Sequence, residues 1–279
     1  MSPQFVDHDG DKKLDVLAGT FDGSPHVALA GEGGWGEPAW ILDKEGQRIV
    51  MNQFWNTESK PGKWDETKRC DPKDHALPKG HLTSAWAWDW DADGDLDLLL
   101  GDYDGGHLYL RRNEGKAGAA AYATTNEVVF AGGKPLHVNK TSTPRMVDFD
   151  GDDMLDLVVG SMGDSYGTAA GGGVHWFRNT GKQGAPEFAA GVDLVPPSTK
   201  ELADEPTRPD AGLYMDLADV DGDGDLDMVV GAYSWSKPSG EPKASNPKGE
   251  PKPVKAPFVW FHENRTKSRA ASAPASPGK

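Results

Sequence analysis

The sequence predicts an all-β protein built as blades of a β-propeller, and three observations predict it. A nine-residue acidic segment occurs four times, each time followed by a short apolar run that ends in glycine. The copies start 82, 59 and 71 residues apart, a length that suits about four short strands with loops of varying size. No segment sustains a 3.6-residue apolar period, so helix is expected to be scarce.

The most regular copy is Asp219-Val220-Asp221-Gly222-Asp223-Gly224-Asp225-Leu226-Asp227, followed by Met228-Val229-Val230-Gly231. The others span residues 7–15, 89–97 and 148–156 and lead into Val16-Leu17-Ala18-Gly19, Leu98-Leu99-Leu100-Gly101 and Leu157-Val158-Val159-Gly160. Counted from the first Asp, positions 1, 3, 5 and 9 are Asp in every copy. Carboxylates this dense repel one another unless a cation sits among them. Donors that are all oxygen select a hard divalent ion, and flexible many-oxygen coordination favours calcium over magnesium. The glycines let the chain turn sharply around an ion. The apolar run reads as a buried strand.

Each unit continues in the same way. After the second, third and fourth loops come Leu108-Tyr109-Leu110-Arg111-Arg112-Asn113, Val174-His175-Trp176-Phe177-Arg178-Asn179 and Val259-Trp260-Phe261-His262-Glu263-Asn264. These are β-prone runs entering a turn at Asn. The first unit has a degenerate version at residues 26–33. A Gly/Pro turn and an aromatic residue follow at Gly36 to Trp40 and again at Gly184 to Phe188, so a unit reads strand, acidic loop, strand, turn, strand, turn, strand. Insertions vary the spacing. Residues 43–84 form the largest, with a further strand expected over residues 48–55. Residues 164–173 are rich in glycine, residues 236–257 alternate Pro with Lys as a mobile excursion, and residues 265–279 read as a disordered tail.

Net charge is −15, and its location is informative. The four loops hold 19 acidic and two basic residues, which leaves the rest of the chain slightly basic. The acidity therefore belongs to the loops, which points to bound cations and away from nucleic acid, whose binding needs a basic face. The single cysteine, Cys70, excludes an intrachain disulfide and reads as inert. No apolar stretch approaches the ~20 residues that span a bilayer.

The loops and the trailing aromatic-Arg-Asn-Thr-Gly strand resemble the VCBS/FG-GAP repeats of integrin-like propellers, over residues 1–264 apart from the insertions. The resemblance implies four-stranded blades with calcium held in the hairpin between the first two strands. Carried over by position, the side-chain ligands would be Asp7, Asp9, Asp11 and Asp15; Asp89, Asp91, Asp93 and Asp97; Asp148, Asp150, Asp152 and Asp156; Asp219, Asp221, Asp223 and Asp227. Carbonyl ligands would come from Lys13, Asp95, Met154 and Asp225, giving up to four Ca2+ ions. Position 6 departs from glycine at Lys12 and Asp153. A positive φ there suits Asp better than Lys, so the first site is expected to be the weakest, the more so because Lys12 and Lys13 bring positive charge. Related propellers have seven blades and four are present here, so the chain either closes as a small four-blade ring or is the C-terminal part of a larger one, the partial propeller being the expectation.

Rival motifs fail on missing ligands. An EF-hand needs a bidentate Glu at position 12 and flanking helices, but that position is Ala18, Leu100, Val159 or Val230. No nucleophile elbow, phosphate loop or His-rich metal spacing is present, and no catalytic residue is assigned. His26, His107, His175 and His262 read as strand residues. Trp86, Trp88 and Trp90 alternate along one strand and are expected to fill the wedge between blades; Trp35, Trp55 and Trp64 are the candidates for an exposed face. The expected function is a calcium-binding scaffold for adhesion or for a protein or polysaccharide ligand. A carbohydrate-active lyase or hydrolase, or its non-catalytic part, is the alternative. Millimolar calcium implies an extracellular or periplasmic setting. No secretory signal is visible after Met1, so the chain is expected to be truncated at its start.

Overall fold

The structure is a computed structural model, described for residues 3–73, 79–164, 170–199, 207–236 and 254–265. Among the described residues there is no helix, and four antiparallel sheets form the four blades of a β-propeller. The first sheet runs Gln4–Val6, Asp15–Gly19, Pro25–Ala28 and Ala39–Trp40 in spatial order. The second runs Leu82–Trp88, Asp97–Asp102, Leu108–Arg111 and Glu127–Val128, and the third Thr143–Val147, Asp156–Gly160, Val174–Phe177 and Val192–Val195. The fourth has three described strands, Ala211–Ala218, Asp227–Ser236 and Val254–His262. Every acidic loop joins the first strand of a sheet to its second, as a hairpin tip.

The second strands of the second and third sheets are buried on both faces, which accounts for their continuous apolar runs, whereas Val16, Ala18 and Val229 in the first and fourth sheets are half-buried. Leu98 and Leu100 pack with Leu17, Leu82 and Tyr109 in the seam between the first and second sheets, while Leu99, between them in sequence, faces the next seam with Met146, Leu157 and Val159. Val158 points the other way again, to Leu213, Met215 and Val230 of the fourth sheet. Alternation along one strand thus serves two seams. Each fully buried side chain of this kind stabilises by roughly 1.5–3 kcal/mol. Trp86, Trp88 and Trp90 lie against the second seam, the packing role expected of them. Cys70 is buried.

The glycine that ends each run is a contact point between blades. A Cβ on Gly19 would lie 2.4 Å from the Ser84 backbone, one on Gly101 1.8 Å from the Ser142 carbonyl oxygen, and one on Gly160 2.2 Å from the Leu213 carbonyl oxygen. In each case the first strand of the following sheet, or the residue that leads into it, presses on the glycine. Gly231, in the fourth sheet, meets nothing closer than a 3.9 Å contact with Tyr214 of its own sheet. Extensive strand contacts join the sheets in the order first, second, third, fourth, and among the described residues none of that extent joins the fourth to the first.

The insertion differs from expectation. Residues 48–55 do not form one strand: Gln53–Asn56 pairs with Lys63–Glu66 in a separate hairpin. Ile49, Val50 and Met51 are all buried, with Ile49 and Met51 in the first seam. With no face left for solvent, the segment acts as a wedge filler. Arg69 anchors it by pairing with Asp43 and by donating to the Arg48 carbonyl, and Asn126 Nδ2 donates to the Val50 carbonyl at 3.0 Å. In the fourth sheet the last strand begins at Val254, which pairs with Ser236, so residues 254–257 lie in the sheet and not in an excursion. The remainder of that excursion, residues 237–253, and the tail beyond residue 265 lie outside the described residues.

Candidate metal centres

The four hairpin tips share one backbone conformation. Position 6 has positive φ in every copy: 71° at Lys12, 95° at Gly94, 69° at Asp153 and 94° at Gly224. Position 4 does too, at Gly10, Ala92, Gly151 and Gly222. The expectation for position 6 therefore holds, and position 4 adds a second left-handed residue that only Gly takes without strain.

The first Asp organises each tip. Its Oδ2 accepts the position-6 N–H from Lys12 (3.0 Å), Gly94 (3.1 Å), Asp153 (3.0 Å) and Gly224 (3.2 Å). The position-5 Asp accepts the position-7 N–H from Lys13, Asp95, Met154 and Asp225 at 2.9–3.1 Å. These bonds fold the tip inward and bring carboxylates together. Oxygens of Asp7, Asp9 and Asp15 come within 4.8 Å of one another, as do those of Asp89, Asp91 and Asp93, of Asp148, Asp150 and Asp152, and of Asp219, Asp221 and Asp227. Positions 1 and 3 converge in all four loops, position 5 in the second and third, and position 9 in the first and fourth.

The position-9 Asp has a second task that the sequence did not reveal. Asp15, Asp97, Asp156 and Asp227 are almost fully buried. Their Oδ1 accepts the backbone N–H of Ala30 (2.7 Å), Asn113 (2.6 Å), Asn179 (2.7 Å) and Asn264 (2.9 Å), just past the third strand of the same sheet. Their Oδ2 accepts the position-2 N–H of His8, Trp90 and Val220, or the Trp176 indole N–H at Asp156. Asn113 and Asn179 continue the clasp. Their Nδ2 donates to the carbonyls of Leu96 and Leu155, and their Oδ1 accepts N–H groups of the turn beyond. The recurring Asn at a strand end was the visible signal for this.

The donor set fits a divalent cation. Asp95 is 4% exposed, and its Oδ2 has no hydrogen-bond partner. Burial and the charges of Asp93, Asp91 and Asp89 push its carboxyl up to about 6. Burial likewise pushes Asp97 up to about 6, against the opposing pull of the Asn113 and Trp90 N–H groups. Asp7 Oδ1 and both Asp225 oxygens are also buried without a partner. A cation among these oxygens would supply the missing partner and favour their ionised forms. Protein cations already stand nearby: Lys13 Nζ lies 2.6 Å from Asp11, Arg112 Nη1 3.1 Å from Asp91, and Arg178 2.6 Å from Asp150 and 2.9 Å from Asp152.

Two tips also touch the next blade. A Cβ on Gly118, in the outer turn of the second blade, would lie 2.8 Å from the Asp9 carbonyl oxygen. One on Gly184, in the matching turn of the third blade, would lie 2.5 Å from the Asp91 carbonyl oxygen. Order in a loop is therefore felt across a seam. No helix flanks any of the loops, which removes the EF-hand alternative.

Residues 89–159, from the second acidic loop to the strand after the third, match the family described as FG-GAP-like repeat. The chain thus carries an FG-GAP-like repeat within a β-propeller. No curated protein matches the chain.

Proposed function

We propose that the four acidic loops bind calcium, up to four ions, and that the chain is a calcium-stabilised propeller module serving as a binding or adhesion scaffold outside the cytoplasm. The observation that carries this reading is the convergence of at least three carboxylates in each of four equivalent loops. The ligands would be the Asp side chains at positions 1, 3, 5 and 9, with the carbonyls of Lys13, Asp95, Met154 and Asp225. The ion's role is mechanical: it neutralises repelling charges at a hairpin tip, which in the first and second loops also rests on the neighbouring blade. An extracellular or periplasmic setting suits it because calcium is abundant there.

Metal that binds only the folded state stabilises it, by about 2.7 kcal/mol per site at a free concentration ~100 times the dissociation constant. Stripping metal from the protein is therefore expected to lower its melting temperature by ten degrees or more, and added calcium to restore it where magnesium does not. A melting curve indifferent to calcium would overturn the reading.

A second reading, polysaccharide binding with or without turnover, draws support from one cluster. At the strand ends opposite the acidic loops, Phe21, Trp64, His81 and Tyr103 pack with ring centroids 4.7–5.8 Å apart, and Phe21 and Trp64 are 49% and 41% exposed. His81 Nδ1 lies 3.1 Å from Asp104 Oδ2. Exposed rings beside hydrogen-bonding groups suit stacking on sugars. Retardation of the protein in gels containing neutral polysaccharides would favour this reading, and release of soluble sugars would make it enzymatic.

A further inference from the structure

The four metal loops are not electrostatically equal, and one position accounts for the difference. In each blade the N–H that clasps the position-9 Asp belongs to Ala30, Asn113, Asn179 or Asn264. The residue immediately before it is Leu29, Arg112, Arg178 or Glu263. The clasp fixes this residue beside its loop. Arg112 Nη1 reaches the position-3 carboxylate Asp91 at 3.1 Å. Arg178 reaches Asp150 at position 3 and Asp152 at position 5. In the fourth blade the same place holds Glu263, set beside the loop by the neighbouring Asn264 N–H, which donates to Asp227 Oδ1 at 2.9 Å. Arg265, 82% exposed, pairs with Glu263 from the solvent side at 2.8 Å. The first blade has Leu29 there, and its loop draws a cation from within, Lys13 on Asp11.

We propose that the residue preceding the clasp sets the cation affinity of its loop: Arg112 and Arg178 are built-in countercharges that a metal must displace, and Glu263 adds a carboxylate to the fourth site. This rests on the metal-binding reading above and deepens it. An exposed Arg–carboxylate pair is weak, so a divalent ion displaces it, but the guanidinium stays near and repels the ion. A neighbouring unit charge acting on a doubly charged ion alters its affinity about tenfold even at high dielectric. The fourth site is therefore the tightest, the second and third are weaker, and the first is weakened by Lys13 instead.

With Trp35 and Trp176, whose indoles stand beside the first and third loops, replaced by Phe, and Trp90 replaced by Phe whenever the fourth loop is read, terbium luminescence reads one loop at a time. Trp90, at position 2 of the second loop, sensitises an ion bound there, and Val220→Trp places the same reporter in the fourth loop at a side chain that is 56% exposed. Arg112→Gln is expected to lower the terbium concentration for half-saturation of the second loop about tenfold, and Arg112→Glu to lower it further. Arg112→Lys should leave it unchanged, which separates charge from the guanidinium's packing 5.7 Å over Trp90. In the Val220→Trp background, Glu263→Gln should raise half-saturation about tenfold and Glu263→Arg should raise it more. Calcium competition should give the same order. Half-saturation that does not move, or moves in the opposite sense, overturns the proposal and leaves metal binding intact. Absence of any ion-dependent signal in the unmutated protein overturns both.

Discussion

At the scale of single residues, the acidic loop is a solution to two constraints, charge density and a left-handed backbone. Position 6 has positive φ in all four loops, and Lys12 sits there at 71°. A Cβ in that conformation costs roughly 1–2 kcal/mol, and the lysine adds positive charge beside the carboxylates. Lys12→Gly is expected to raise the stability of the protein by about 1 kcal/mol, measured by urea denaturation. A loss of stability would mean that the Lys12 side chain makes a favourable contact outweighing its backbone strain. Positions 1, 3, 5 and 9 were legible in the sequence because a repeated Asp spacing has few other uses. The division of labour among them was not. The donors that hold Asp15, Asp97, Asp156 and Asp227 come from residues 15, 16, 23 and 37 positions further along, and no local pattern links the two ends.

At the scale of elements, the glycine closing each apolar run looks interchangeable in sequence and is not interchangeable in the fold. Gly101 and Gly160 lie under the backbone at the start of the next sheet, so a methyl group there must push a blade aside. Gly101→Ala and Gly160→Ala are each expected to cost about 2–3 kcal/mol, whereas Gly231→Ala, whose methyl group would meet only an ordinary contact at 3.9 Å, should stay within about 0.5 kcal/mol of the parent. Equal losses at the three positions would mean that a further surface presses on Gly231. The strands themselves were readable from their apolar runs and terminal Asn residues. The strand expected over residues 48–55 forms only from Gln53 on, because β-propensity reports only that a segment suits a pleated, partly buried surface. Its backbone partners, Arg69 and Asn126, were invisible from the segment itself.

At the scale of the whole molecule, buried carboxylates of the second blade give stability a pH dependence that metal should alter. Burial raises Asp95 and Asp97 to about 6, and burial together with the charge of Asp104 raises Asp102 to about 7. Unfolded, these groups titrate near ~4. The metal-free folded state therefore holds protons that the unfolded state has released, and its stability falls as pH rises through that window. Repeating the melting experiment on metal-stripped protein is expected to give a higher melting temperature at pH 5.5 than at pH 7.5. Calcium should weaken or reverse the trend, since it stabilises the ionised loops while Asp102 is untouched. A metal-free protein that loses stability on acidification would contradict the burial of these carboxylates. That the chain is all-β, that it repeats, and that four loops gather acidic oxygen can be read from spacing and composition within nine to fifteen residues. Which carboxylates converge, which glycines carry a neighbouring blade, and which loop receives Arg112, Arg178 or Glu263 emerges with the packed fold. Each of those depends on residues far apart in the chain, brought together when apolar faces of neighbouring sheets are buried against one another.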